Sequence, residues 1–399
     1  MAQIKPEVET FAKIKVIGVG GSGCNAITRM MACKIQGVDF VAINTDAQDL
    51  HHTSAAEKIH IGKNLTKGLG AGMDPEIGRQ AAEENRDEIH EVVKGTDMVF
   101  VTCGFGGGTG TGAAPIVAET AKEAGALTVA VVTKPFSFEG KQRAQLAEEG
   151  LYQLKDRVDT LITIPNDKLL SVIDRKTSLL NAFAVVDDVL RQAVQGISDL
   201  VVTPGIVNVD FADVKAVMQD AGSALMGIGK ATGDDRAGEA AKSAINSPLL
   251  ELSIDGARGV LFNVSGGADL AMTEINEAAK VITESIDPDA KVIFGAIMDD
   301  KLKKGEIKIT VVATGFEEDL IKKTNEKETK LQDISPVSYY SEEKKEKKIE
   351  TEKEDKEAKK EKPKEQEKEI SSKEKQKETS SSEDEDEWDI PAFIRRKMK

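Results

Sequence analysis

Gly106-Gly107-Gly108-Thr109-Gly110-Thr111-Gly112 decides how this chain reads. Five glycines in seven positions leave backbone N–H groups with almost no side chain in front of them, and Thr109 and Thr111 add hydroxyls. Before the run, Met98-Val99-Phe100-Val101-Thr102 reads as a buried strand; after it, Ala113-Ala114-Pro115-Ile116-Val117-Ala118-Glu119 opens a helix. A strand, a glycine loop and a helix N-terminus together make a phosphate cradle, because unpaired amides and the helix dipole both favour anions. A flexible linker would not sit between an apolar strand and a helical pattern. The loop does not follow G-x-x-x-x-G-K-[ST]: Gly62-Lys63, Gly140-Lys141 and Gly229-Lys230 all lack that frame.

Outward from this run, strands and helices alternate. Lys13 to Gly18 reads as a first strand, followed by the loop Gly18-Val19-Gly20-Gly21-Ser22-Gly23 and a helix from about Asn25 to Met31. Phe40 to Asn44 is a second strand, and Pro75 to Lys94 has a helical period. Strands recur at 98–102, 127–132 and 160–163, between helical stretches at 113–124 and 141–156. Such alternation predicts an α/β domain with a parallel sheet covered on both faces. Ligands bind beyond the carboxyl ends of strands in these sheets. Both glycine loops, Asn44-Thr45-Asp46 and Thr133 fall at such ends and converge on one crevice.

From Thr177 to about Val202 runs a helix apolar on most faces, which predicts burial between two bodies. Strands near 223–228, 258–265, 291–298 and 306–314 then bracket helices near 236–246 and 270–286, a smaller α+β domain of four strands.

Three further clusters carry chemistry. Glu139 and Arg143 stand four apart at a helix start, as a local salt bridge or as ribose and phosphate contacts. Asn166 ends a strand and Asp187-Asp188 lies in the long helix. Guanine presents donors that call for a carboxylate and acceptors that an amide satisfies, so an Asn with an Asp suits it. In Asn208-Val209-Asp210-Phe211-Ala212-Asp213, Asp210 reads as a helix cap, which leaves Asp213 unexplained. Two carboxylates three apart on a first helical turn point the same way and could polarise a water. A rival signal exists: Gly18-x-Gly20-x-x-Gly23 matches the dinucleotide fingerprint, with Asp46 as its acid. The second glycine loop weighs against that, because one pyrophosphate needs only one such loop.

Composition bounds the rest. The 399 residues suffice for two domains and a tail. Three cysteines without a signal peptide indicate a reducing compartment, Cys24 reads as a packing residue, and no apolar run approaches the length of a membrane span. A net charge of -15 argues against nucleic acid, and four histidines show no metal-ligand spacing. Residues 341 to 387 hold 33 charged side chains in 47 positions, which predicts a disordered linker from about Glu317, with transient helix as the competing reading. Its roughly 70 residues would span about 45–50 Å as a flexible coil. Beyond it, Trp388 to Lys397 is an apolar cluster with the single tryptophan, the pattern of a peptide that folds on a partner.

The glycine signature, the run Phe136-Ser137-Phe138-Glu139-Gly140-Lys141-Gln142-Arg143 and the loop Asn208-Val209-Asp210-Phe211-Ala212-Asp213-Val214 resemble the FtsZ family of bacterial tubulin-like cell-division GTPases, in order and spacing. The likeness covers residues 11 to 316 and the last dozen. It implies a Rossmann-like GTPase domain (1–176, with a disordered arm at 1–11), a central helix (177–202), a smaller α+β domain (203–316), a charged linker (317–387) and a partner-binding peptide (388–399). GTP would be held by Gly20, Gly21, Ser22, Gly23, Cys24, Asn25, Asn44, Asp46, Ala71, Gly72, Gly104, Gly106, Gly107, Gly108, Thr109, Gly110, Thr111, Gly112 and Thr133, with Mg²⁺ carried mainly by the phosphates. Glu139, Arg143, Asn166 and Asp187 would hold ribose and base, with Phe183 stacking near guanine. Asn208, Asp210 and Asp213 would reach the nucleotide of a neighbouring subunit, so that copies join head to tail into a filament at the mid-cell division site. Ile390, Pro391, Phe393, Ile394 and Arg395 would bind membrane-tethering division proteins. Ser22 and Cys24 stand where relatives usually carry glycine or another small residue, and Thr28 replaces a common Asn, which implies slightly altered loop packing. The alternatives are a nicotinamide-dependent oxidoreductase and a structural polymer that binds GTP without hydrolysing it.

Overall fold

The computed structural model describes residues 12–170, 177–203, 205–247, 253–299 and 302–316. The expected arm at 1–11, the domain boundary at 176, the linker and the terminal peptide lie outside the described residues. Strand and helix alternate as β1 (Ile14–Val19), α1 (Gly20–Ala32), β2 (Val38–Asn44), α2 (Ala47–His52), β3 (Glu57–His60) and the single turn α3 (Lys63–Thr66). Next come α4 (Pro75–Glu84), α5 (Arg86–Val93), β4 (Met98–Gly104), α6 (Gly108–Glu123), β5 (Leu127–Lys134), α7 (Lys141–Lys155), β6 (Thr160–Pro165) and α8 (Asn166–Leu170). The long α9 (Leu179–Val202) leads to α10 (Phe211–Met218), β7 (Gly222–Thr232), α11 (Arg236–Ile245), β8 (Gly259–Gly266), α12 (Met272–Thr283), β9 (Lys291–Met298) and β10 (Glu306–Thr314).

The strands form one ten-stranded sheet in the order β3-β2-β1-β4-β5-β6-β7-β10-β8-β9. From β3 to β6 every pairing is parallel. Parallel strands need covering on both faces, and the sequence supplies it by making neighbouring strand residues apolar alike. Val16, Phe100 and Val129 pack with Ile27 of α1 and Val194 of α9 on one face. Ile17, Val101 and Ala130 pack with Ala81, Ile89, Val117 and Leu151 of α4 to α7 on the other. β7 serves both halves: Gly222 to Ala224 pair parallel with β6, and Leu225 to Thr232 pair antiparallel with β10. A third core lies between α11, α12 and strands β8 and β10.

Three element boundaries differ from the sequence reading. α1 begins at Gly20 rather than near Asn25, and α6 begins at Gly108 rather than at Ala113. The glycines, poor helix formers in isolation, are thus the first turns of their helices, because close packing there admits nothing larger. The helical stretch from Pro75 to Lys94 divides at Asn85, whose Oδ1 accepts the Gly62 N–H at 2.9 Å. Asn85 leaves the helical conformation there, at φ -112° and ψ 22°.

Candidate functional site

Loops from the carboxyl ends of β1, β2, β4 and β5 meet at one edge of the parallel sheet. Gly106 adopts φ 96°, a conformation open to glycine, and its N–H donates to Thr111 Oγ1 at 2.9 Å. The Gly108 N–H donates to the Gly72 carbonyl at 2.8 Å, and the hydroxyls of Thr45 and Thr109 share a bond of 2.6 Å. Thr111 Oγ1 thus accepts within its own loop, and one of the Thr45 and Thr109 hydroxyls donates to the other. Among the described residues, Gly107, Thr109 and Gly110 keep the uncommitted amides of that helix start.

Most glycines of the signature are there for contact. A Cβ on Gly112 would lie 1.9 Å from the Pro75 carbonyl oxygen, and one on Gly108 would lie 2.7 Å from that of Asp74. Only open space faces Gly107, where a Cβ meets no atom within 4 Å. Gly104 is pressed against Ser22, whose Oγ would lie 2.7 Å from its Cβ. Of the departures noted in α1, Ser22 is exposed, Thr28 Oγ1 donates to the Cys24 carbonyl at 2.9 Å, and Cys24 is buried beside Asn44. Burial pushes the Cys24 thiol up to about 11, so packing, not reactivity, is its role.

Asp46, the acid that a dinucleotide reading needs, caps α2 by accepting from the N–H groups of Gln48 and Asp49. Asp49 went unnoticed in the sequence, yet its carboxylate accepts from Asn44 Nδ2 at 2.8 Å and lies 3.3 Å from a Cβ placed on Gly21. Its carboxyl is raised by burial and by Asp46. No spacing rule pointed to it.

Around the crevice rim, Phe136 is buried, stacks with exposed Phe138 (centroids 5.0 Å) and meets half-exposed Phe183 edge-on at 5.4 Å. Glu139 uses one oxygen on the Phe136 N–H at 3.0 Å and the other on Arg143 at 2.5 Å. The local salt bridge is thus present. Asn166 is 5% exposed and its Oδ1 has no partner. A buried amide without a partner is costly, and a half-turn of the group offers either its oxygen or its NH₂ to a base. The two neighbouring acids of α9 separate: Asp188 binds Arg191 and Gln192, while Asp187 turns toward α1, with Arg29 Nε 3.5 Å away. Burial outweighs Arg29 and pushes the Asp187 carboxyl up to about 6.

Asn208, Asp210 and Asp213 are all exposed, and the contacts of the first two are local. Asn208 Oδ1 accepts from the Gly205 N–H at 2.6 Å, and Asp210 caps α10 by accepting from the Ala212 N–H at 3.3 Å. The end of α10 is fixed at the amino end of β6, where the Thr160 hydroxyl donates to the Met218 carbonyl. The glycine loops occupy the opposite, carboxyl edge of the same sheet. The structure does not bring the two groups together within one chain.

A doubly covered parallel sheet with two glycine-rich helix starts at its carboxyl edge, a buried connecting helix and a second α/β layer define a nucleotide-binding protein of the tubulin type. Residues 13–174 match the model of the tubulin/FtsZ family GTPase domain, and residues 222–317 match that of the FtsZ family C-terminal domain. The empty FtsZ dimer of M. jannaschii is 51% identical with a TM-score of 0.74, over 77% of this chain and 89% of that one. A point mutant of the same FtsZ gives the same identity and covers 92% of its chain. The chain belongs to the FtsZ family of GTPases. CetZ2 from Haloferax volcanii, solved as a GTPγS-bound protofilament, is 21% identical with a TM-score of 0.65 and shares the fold. These solved relatives are archaeal. Among the described residues no helix is long and apolar enough to cross a membrane.

Proposed function

We propose that this chain polymerises head to tail with GTP and hydrolyses it at each junction, where one copy holds the nucleotide and the next supplies Asn208, Asp210 and Asp213. The observation that carries the reading is the placement of those exposed acids beyond the amino edge of the sheet whose carboxyl edge bears the cradle. A contact between two unlike faces that does not close on itself propagates as a filament. The named relatives support this, one being a dimer and one a GTPγS-bound protofilament.

The residues fit a guanine nucleotide. The amides of Gly107, Thr109 and Gly110 would bind phosphate at the α6 N-terminus. Asn166, with its orphaned oxygen, and Asp187 would read the base, with Phe183 against its face. Glu139 and Arg143 would bind ribose from their paired position. Mg²⁺ would be carried by the phosphates, whose charge it neutralises. Asp213, exposed one turn beyond the helix cap Asp210, would orient the attacking water. Nothing in a purely structural polymer would need it there.

In the cell, such a filament would form the division ring at the septum, tethered through Ile390, Pro391, Phe393, Ile394 and Arg395. The domain bounds proposed are 1–176, 177–202 and 203–316. A mixing experiment tests the shared site. Gly107→Glu puts a carboxylate in the cradle where a Cβ meets no atom, and Asp213→Ala removes the acid; each alone should be inactive. Mixed, they form junctions that join an intact pocket to an intact acid loop, and GTP turnover should return in part. Co-assembly without any recovery would refute the shared site.

A further inference from the structure

Lys122 stands in the last turn of α6, at the far end of the helix whose first turn is the glycine signature. Its Nζ lies 3.1 Å from Asp159 Oδ1 and donates to Asp220 Oδ1 at 2.8 Å. Asp159 is 4% exposed and precedes β6; its other oxygen accepts the Thr128 N–H of β5 at 2.8 Å. Asp220 lies between α10 and β7 with φ 49°, a left-handed conformation that few side chains other than Asp and Asn adopt readily. That conformation turns the chain from α10 into β7, while the carboxylate reaches Lys122. Burial works against the charge on Lys122, but Asp220 and Asp159 together raise its pKa; Lys122 in turn holds the Asp220 carboxyl below its ordinary value.

The same junction grips the end of α10. Thr160 binds the Met218 carbonyl, and Thr314 Oγ1 donates to the Val217 carbonyl at 3.1 Å. α10 starts with Asp210 as its cap and carries Asp213 in its first turn. One helix, α6, about 24 Å long at 1.5 Å per residue, therefore runs from the nucleotide a subunit holds to the base of the helix whose acids it offers its neighbour.

We propose that Lys122, Asp159 and Asp220 form a positioning clamp that fixes a subunit's offered acids relative to its own nucleotide pocket. The clamp touches neither nucleotide nor water and acts through the seat of α10. The inference rests on the shared-site reading above. A bland ion-pair cluster would affect stability without regard to which side of a junction carries the change. The clamp affects only the acid-donating side.

The test uses the full chain with GTP and variants at Lys122, Asp213 and Gly107. Lys122→Met should bind GTP within about twofold of the parent yet turn it over about tenfold more slowly, and Lys122→Arg should restore most of the rate. Mixing Lys122→Met with Asp213→Ala should give no recovery above Lys122→Met alone, because every junction then lacks a well-placed acid. Mixing Gly107→Glu with Asp213→Ala is the control and should recover. Recovery in both mixtures, or unchanged turnover in Lys122→Met, overturns the clamp. Failure of the control instead refutes the shared site, and the clamp falls with it. Should Lys122→Met lose GTP binding, Asp220→Asn, which keeps the left-handed turn and removes the charge, is read in the same mixtures by the same criteria.

Discussion

The two edges of the parallel sheet are built in opposite ways. At the carboxyl edge, loops from four strands lock together by backbone bonds and glycine contacts, and a few groups are left without partners: the Gly107, Thr109 and Gly110 amides and the Asn166 oxygen. Beyond the amino edge, Asn208, the cap Asp210 and Asp213 lie exposed at the start of α10. A crevice lined by backbone amides at one edge and exposed acids at the other are complementary in kind. The shared site proposed above joins each to its counterpart on a second copy.

Breaking the acid half should have the largest effect. Asp213→Ala is expected to lower GTP turnover by about 10²–10⁴-fold, as for loss of a positioned acid–base group, while GTP affinity measured by titration stays put. An equal loss of affinity would place Asp213 in the binding half and erase the contrast.

Within the pocket half, the contrast sharpens between two glycines five positions apart. Gly112→Ala drives a methyl group into the Pro75 carbonyl and the Arg79 N–H, backbone atoms with little freedom to move. It should cost about 1–3 kcal/mol or more, read as a fall of several degrees in Tm. Gly107→Ala should leave Tm unchanged and weaken nucleotide binding alone. Equal melting curves for the two would mean that the glycines are not packing residues.

The base-reading acid gives a pH dependence. With the Asp187 carboxyl at about 6 in the free protein, its ionised form, the one that would accept from guanine in the proposed site, dominates above that pH. GTP affinity should be flat above pH 7 and fall toward roughly tenfold per unit well below pH 6. Asp187→Asn should bind more weakly at pH 7 and lose that slope. A slope that persists in Asp187→Asn would assign it to another group.

The smallest effect concerns Glu139 and Arg143. As a partly exposed pair they should couple by less than about 1 kcal/mol in a double-mutant cycle on stability. The sharper readout is GTP affinity: a loss for Arg143→Ala well beyond that coupling adds a nucleotide contact to the salt bridge, and no loss removes the pair from the pocket.

How much of this was legible in the sequence follows the same division. The parallel half declared itself through apolar runs such as Met98 to Val101, which only a doubly covered strand explains. The glycine signature marks the strand-to-helix turn, but its last three glycines, Gly108, Gly110 and Gly112, are helix and not loop, because the close approach of α4 to α6 is tertiary and leaves no local trace. The contacts of Thr109 with Thr45 and of Thr111 with the Gly106 amide are likewise set by the fold and leave no local trace. Asp187 and Asp188 are adjacent in the chain, and only the packing of α9 on α1 separates them. The acid loop was legible as a cap plus an unexplained carboxylate, and its role came from family likeness. The Lys122 clamp joins residues up to 98 apart and left no pattern to find.

Specific GTPase activity measured across a dilution series tests the central claim most directly. A site divided between copies predicts that phosphate release per molecule falls toward zero below an assembly threshold and rises above it as junctions form. Constant phosphate release per molecule down to concentrations where sedimentation shows only monomers would contradict it.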